Sequence, residues 1–286
     1  MKQLQNGTAS VLEQLPKYSE WIYNALCFII IILIVFFHSY KLDKIPLGLF
    51  FDESTIGVHA SNLTLTGLDA YNGEIPLFFK SDADYDSPIL IYTTAAFFKL
   101  FGVSEFTLRL PNVLFFSIAL LLTFLLTLKI YGNNKLLLIY FLVAFGFLPQ
   151  FFTLSRLSFE VISQLAAISG AFLCIWWTFH EQSHSKINKY GKAIITGFLI
   201  GISTYTYSTA NLLSVLLMGS LIAFYFNYKN LKVLAILTVS YLVTLIPYGI
   251  FSISNPGALT SRFQNISFIF ESIPLIEKMR TFLENY

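Results

Sequence analysis

The run SPILIYTTAAFFKLFG, Ser87 to Gly102, decides how the rest of the chain is read. Its only charge is Lys99, yet it is shorter than the roughly 20 apolar residues that a bilayer-spanning helix needs. Such a run fits a helix lying in the membrane interface. It sits inside a loop, residues 41–109, that is the only long connection between apolar segments of spanning length. Loops above about 15 residues tend to be functional. A long, partly membrane-embedded loop is therefore unusual for a purely structural bundle.

Outward from that run the chain is a series of spans. Composition points the same way: 56% hydrophobic, 17% aromatic and only 12% charged, where soluble domains carry about 25% charged residues. Trp21 to Tyr40, Leu110 to Leu128, Leu136 to Ser155 and Val161 to Phe179 each read as a spanning helix. The uncharged run 193–228 would be about 54 Å long as one helix at ~1.5 Å per residue, well beyond a hydrocarbon core of about 30 Å. It should break near STYTYSTAN, Ser203 to Asn211, and a last span runs from Val233 to about Ser252. The expectation is an all-α polytopic membrane protein with about seven transmembrane helices. A short tail, 1–20, precedes a transmembrane unit, 21–252, that contains the loop 41–109. Residues 253–286 begin a further loop or a truncated C-terminal region. The first apolar segment is of full spanning length and lacks a small-residue cleavage site, so it reads as a helix rather than a cleaved signal.

Charge sets orientation and excludes functions. The loops 129–135, 180–192 and 227–232 carry seven lysines on one side, joined by Lys2 and Lys17. The positive-inside tendency makes that side cytoplasmic. Thirteen of the sixteen acidic residues then fall on the other side, Glu13, Glu20 and Glu181 being the exceptions. A net charge of +2 without a basic run argues against nucleic acid as a partner. Cys27 and Cys174 both lie in apolar segments and imply neither a disulfide framework nor a thiolate metal site.

Candidate chemistry clusters on the acidic side. Asp52 and Glu53 stand together in GLFFDESTIG, Gly48 to Gly57, just beyond the first span. A partly desolvated carboxylate suits general-base work, and on a helix the two side chains would point in different directions. One could then act while its neighbour caps, orients or binds a cation. In SRLSFE, Ser155 to Glu160, Arg156 and Glu160 are four apart and would share a helical face. They form either a structural ion pair or a phosphate-binding arginine with its orienting carboxylate, arginine being the bidentate partner of phosphate. Asp82, Asp84 and Asp86 read first as an acidic surface turn and second as a metal site. No dedicated metal site is expected, and a divalent cation is left open. Tyr205 and Tyr207 line a lipid groove or belong to an interfacial aromatic belt, and Arg109-Leu-Pro111 reads as a helix start at headgroup level.

These features together resemble a known family. DSPILIYTTAAFFKLFGVSEFTLRLPNVLFF, Asp86 to Phe116, is similar to the signature of bacterial GT-C glycosyltransferases of the protein-mannosyltransferase and aminoarabinose-transferase type. SRLSFE resembles their Ser-Arg-x-x-x-x-Asp/Glu element, and NPGALTSRFQNIS, Asn255 to Ser267, a recurrent outer-loop stretch. The likeness covers about residues 20–270. Many relatives carry Lys or His and a second Pro where this chain has DSPIL, and most are much longer. The resemblance implies transfer of a sugar from a polyprenyl-phosphate carrier to a lipid, glycan or protein acceptor at the outer face of the plasma membrane, with inversion. It implies Asp52 as catalytic base with Glu53 beside it. Arg156 and Glu160 would lie near the donor phosphate and the base; Asp86 and Tyr205 are further candidate substrate contacts read from the residues themselves. The rival functions are a transporter or flippase of lipid-linked glycans, and an inactive truncated homologue. Transport would call for paired broken helices in matching halves, of which one candidate break is legible.

Overall fold

The computed structural model describes residues 18–70, 76–81, 84–132, 134–181 and 186–258. The tails and Asp82, including the expectations for 259–286, lie outside the described residues. The described chain is helical apart from one two-stranded hairpin. Helix α1 covers Tyr18–Ser39 and is followed, after a loop, by α2 at Phe51–Thr66. Strands β1 (Phe79–Lys80) and β2 (Tyr85–Asp86) pair antiparallel, Phe79 opposite Asp86. Helix α3 spans Pro88–Phe101 and α4 Glu105–Tyr131. Then come α5 (Lys135–Gly146), α6 (Pro149–Ser155), α7 (Val161–Phe179), α8 (Lys186–Ser203), α9 (Ala210–Tyr225), α10 (Leu231–Thr244) and α11 (Ile246–Ser254).

Each of the seven apolar segments holds a helix, yet not all are long and apolar enough to cross a bilayer. Four pass on length and composition: Glu20–Ser39, Glu105–Tyr131, Val161–Phe179 and Tyr228–Ser254. A fifth is the pair α5 and α6 taken together, bent by 52° at the break before Pro149. All seven segments are helical among the described residues, and two of them fall outside that length-and-composition test. Helix α8 carries Lys186, Lys189 and Lys192 within 18 residues, and α9 has only 16 residues. The long uncharged run does divide where expected, α8 ending at Ser203 and α9 beginning at Ala210.

The loop helices form a unit of their own. Helix α3 is 14 residues long, too short to span, and packs along α2. Ile56, Ala60, Phe79, Leu90, Ile91, Phe98 and Leu108 make their shared core. Deeper in the bundle, α8 meets α10 through Gly197 and Gly201, four apart on one face. A Cβ at Gly197 would overlap the Leu237 carbonyl, and one at Gly201 the Thr244 side chain. Small residues at this spacing let helix backbones approach closely in lipid.

The bend between α5 and α6 has an identifiable cause. Pro149 cannot continue the helical ladder, so backbone carbonyls near Gly146 need other partners. His38 of α1 supplies one: its Nε2 donates to the Gly146 carbonyl at 2.8 Å. Its Nδ1 lies 2.6 Å from Ser155 Oγ, and the ring stacks on Phe116 at 4.1 Å between centroids.

The orientation inferred from the lysines is testable by cysteine labelling in a background lacking Cys27 and Cys174. Leu47 and Tyr228 are about nine-tenths exposed and lie in loops assigned to opposite sides. Leu47→Cys should react with an impermeant maleimide on intact cells, and Tyr228→Cys only after lysis. The reverse pattern would invert the topology.

Candidate functional site

The acidic pair divides its labour. Helix α2 starts at Phe51, so Asp52 and Glu53 occupy its first turn, where carboxylates are stabilised by the helix dipole. Successive helical side chains diverge by about 100°, sending Glu53 inward and leaving Asp52 exposed. The Glu53 side chain is 0% exposed, and so is that of Arg109, its partner from α4.

Every hydrogen of that guanidinium is used. Arg109 Nε donates to Glu53 Oε1 at 2.9 Å and Nη2 to Oε2 at 3.1 Å, a bidentate pair. Its Nη1 donates to the carbonyls of Leu42 and Pro46, both at 3.0 Å, and Nη2 also to that of Gly48 at 2.6 Å. Gly48 holds φ +74°, a turn conformation for which glycine is suited. The carboxylate is equally occupied. Oε1 also accepts from Ser158 N–H at 2.9 Å, and Oε2 from Phe50 N–H at 3.2 Å. A buried ion pair repays its desolvation only with such complete matching. Both oxygens of Glu53 are thus engaged by donors of the protein itself, which gives it an architectural part beside Asp52.

Arg156 is likewise engaged by the protein itself. The shared helical face with Glu160 does not exist, because α6 ends at Ser155 and α7 begins at Val161. In the intervening turn the guanidinium of Arg156, 5% exposed, reaches the C-terminal end of α1. It donates through Nη1 to the carbonyls of Phe37 (2.9 Å) and His38 (3.0 Å). Through Nη2 it donates to Tyr40 (2.7 Å) and Ile45 (2.9 Å). These include helix-terminal carbonyls that lack partners of their own, at the negative end of the dipole. Both terminal nitrogens of the guanidinium are thus directed at backbone carbonyls.

What these clamps leave open is a pocket of about 230 Å³. Asp52 and Ile56 of α2 line it, with Asp86 of β2, Leu154 of α6, Phe159 and Glu160 of the turn, Val161 of α7 and Tyr207 of the loop after α8. Glu160 also accepts from Ser87 N–H at 2.5 Å, tying the turn to the N-cap of α3. The structure thus brings Asp52, Asp86 and Glu160 to one cavity, and no lysine or arginine is among the described residues lining it. Among the described residues no three His, Cys, Asp or Glu side chains converge on a metal-holding group. Of the acidic run, Asp86 on β2 lines the pocket.

Tyr205 is not among the residues lining this cavity and packs against its neighbours. Its hydroxyl donates to the Thr244 carbonyl at 2.7 Å and accepts from Tyr248 N–H at 3.1 Å. Its ring stacks on Phe78. Tyr207, two residues on, takes the lining position. Arg109, Asn112 and His38 were not legible as site-building residues. The one available signal was the three-residue spacing of Arg109 and Asn112 at a helix start.

The described residues form an all-α polytopic membrane protein. Two solved structures are similar to it: ArnT from Cupriavidus metallidurans in the apo state, and ArnT from the same organism bound to undecaprenyl phosphate. The first matches with a TM-score of 0.63 at 16% identity, over 91% of this chain and 46% of that one. The second matches with a TM-score of 0.61 at 15% identity, over 87% and 45%. The chain thus spans about half the length of the structures it resembles. No protein-family sequence model and no curated protein sequence matches it.

The division of labour predicts opposite phenotypes for adjacent residues. Glu53→Gln leaves a buried arginine charge uncompensated and should cost about 3–5 kcal/mol of stability, seen as a large fall in melting temperature in detergent. Asp52→Asn should melt within about 0.5 kcal/mol of the parent, as surface changes do. Equal melting of the two would refute the assignment.

Proposed function

We propose that this chain handles the donor in a membrane glycosyltransferase that moves a sugar from a polyprenyl-phosphate carrier to an acceptor at the outer face of the plasma membrane. The observation that carries the reading is the convergence of Asp52, Asp86 and Glu160 on one cavity within a GT-C fold. The likeness to a structure bound to undecaprenyl phosphate supports a polyprenyl-phosphate partner. Residues 21–252, with the loop 41–109, are the proposed functional unit.

In the proposed reaction Asp52 is the general base. Its carboxylate takes the proton of an acceptor hydroxyl or amine as that atom attacks the anomeric carbon. The bond from that carbon to the phosphate oxygen breaks, and polyprenyl phosphate leaves with the electron pair. Attack from the face opposite the leaving group inverts the configuration. Asp52 is suited because it is the exposed member of the pair, while its neighbour is fully engaged. Glu160, held by the Ser87 amide, sits across the cavity and orients the acceptor; Asp86 completes the wall. A lipid-linked donor enters sideways from the bilayer, which accounts for loop helices lying beside the pocket.

A transporter of lipid-linked glycans is the competing reading. It has one bent pair, α5 with α6, in its favour among the described residues. That bend is closed by His38 and Arg156, which fasten it to α1.

The test is turnover of a panel of undecaprenyl-phosphate hexoses and pentoses by the chain in proteoliposomes, followed as release of undecaprenyl phosphate. Asp52→Asn should lower the rate by about 10²–10⁴, the usual share of a general base, with folding intact. Turnover within about twofold of the parent would remove Asp52 from the base role.

A further inference from the structure

We infer that Asn112 is a positioning residue that fixes Glu160 in the pocket. Its kinetic consequence rests on the glycosyl-transfer reading above; its structural consequence does not. The turn 156–160 joins two helices, so its backbone groups need partners from elsewhere. Asn112, on α4 and 0% exposed, supplies two of them. Its Nδ2 donates to the Leu157 carbonyl at 2.5 Å and to the Phe159 carbonyl at 2.8 Å. Between those carbonyls, Ser158 N–H donates to Glu53 Oε1 at 2.9 Å. The 157–158 peptide is thereby held from two sides, by Asn112 and by Glu53, and the 159–160 peptide by Asn112, directly at Glu160.

The chemistry of the site requires an amide. Two carbonyls converge on one side chain, and only a group with two hydrogens on one atom serves both. Aspartate would offer them acceptors, serine a single donor, leucine none. Asn112 Oδ1 is meanwhile buried without a hydrogen-bond partner among the described residues. Such an acceptor is unfavourable, and a space-filling leucine would not carry it. The donor pair is what the position keeps. Arg109 and Asn112 are three apart and share a face of α4. One helix face thus holds both acidic arms of the pocket, Arg109 through Glu53 and Asn112 through the turn.

The test uses the full chain in proteoliposomes. Asn112→Ala should speed amide hydrogen exchange in peptides covering 156–161 and leave those of α8 and α10 unchanged. With an undecaprenyl-phosphate sugar as donor it should lower kcat by at least about tenfold, since small misplacements near reacting groups are costly, and leave donor KM within about twofold. Introduced into Glu160→Gln it should add no further loss, because it acts through that carboxylate. Where Asn112→Ala does not fold, Asn112→Ser, which keeps one donor, is read by the same criteria with a smaller effect. Unchanged exchange at 156–161 overturns the inference, as does a penalty that multiplies with that of Glu160→Gln. If the parent chain transfers no sugar, the functional reading fails, and the exchange result alone decides whether Asn112 holds the turn.

Discussion

Two buried arginines hold the exit of the first membrane helix, and the pocket depends on them. The last turn of α1 and residues 40–48 beyond it lie beside the bilayer, where an unpaired carbonyl is expensive. Arg156 gathers the carbonyls of Phe37, His38, Tyr40 and Ile45, and Arg109 those of Leu42, Pro46 and Gly48. Each guanidinium comes from a different part of the chain, one from the start of α4 and one from the turn before α7. The loop is thus tied to two later helices at once, and α2 begins at a fixed place and angle. That start decides which carboxylate is buried and which is free.

The arrangement explains an acidic pair in a chain with few charges. Glu53 balances Arg109, accepts the Phe50 amide as an N-terminal cap and holds Ser158 in the opposite turn. Asp52 gains its position from this without sharing the contacts. A change at Glu53 would therefore act through folding, whereas a change at Asp52 acts at the cavity itself. The distinction matters because the two residues are indistinguishable by type and adjacent in sequence.

Membrane character, the segments that became helices, the break between α8 and α9 and the short loop helix α3 were legible in the sequence. Composition and apolar run length report them directly. The roles of Arg109 and Arg156 were not, because their partners are backbone carbonyls 61 to 119 positions away and carbonyls leave no mark in a sequence. The four-residue spacing of Arg156 and Glu160 misled for a related reason. Periodicity assumes a continuous helix, and the turn at 156–160 interrupts it. Asp52, Asp86 and Glu160 were individually visible as candidates on the acidic side; that β2 and the turn bring them to one cavity required the fold. Tyr205 and Tyr207 could not be separated by residue type, and the fold packs the first and opens the second.

A second cavity offers a sharp contrast. Where α7 and α9 meet α4, Leu126, Phe172, Trp176, Leu217 and Phe224 line an apolar groove of about 550 Å³ with no carboxylate among its described lining residues. The most direct measurement is photo-crosslinking of the full chain with a benzophenone-bearing undecaprenyl phosphate, followed by peptide mapping. If the carboxylate-lined cavity receives the carrier's phosphate end, a probe placed next to the phosphate labels peptides containing residues 52–56, 159–161 or Tyr207. Labelling confined to the groove between α7 and α9 would contradict it.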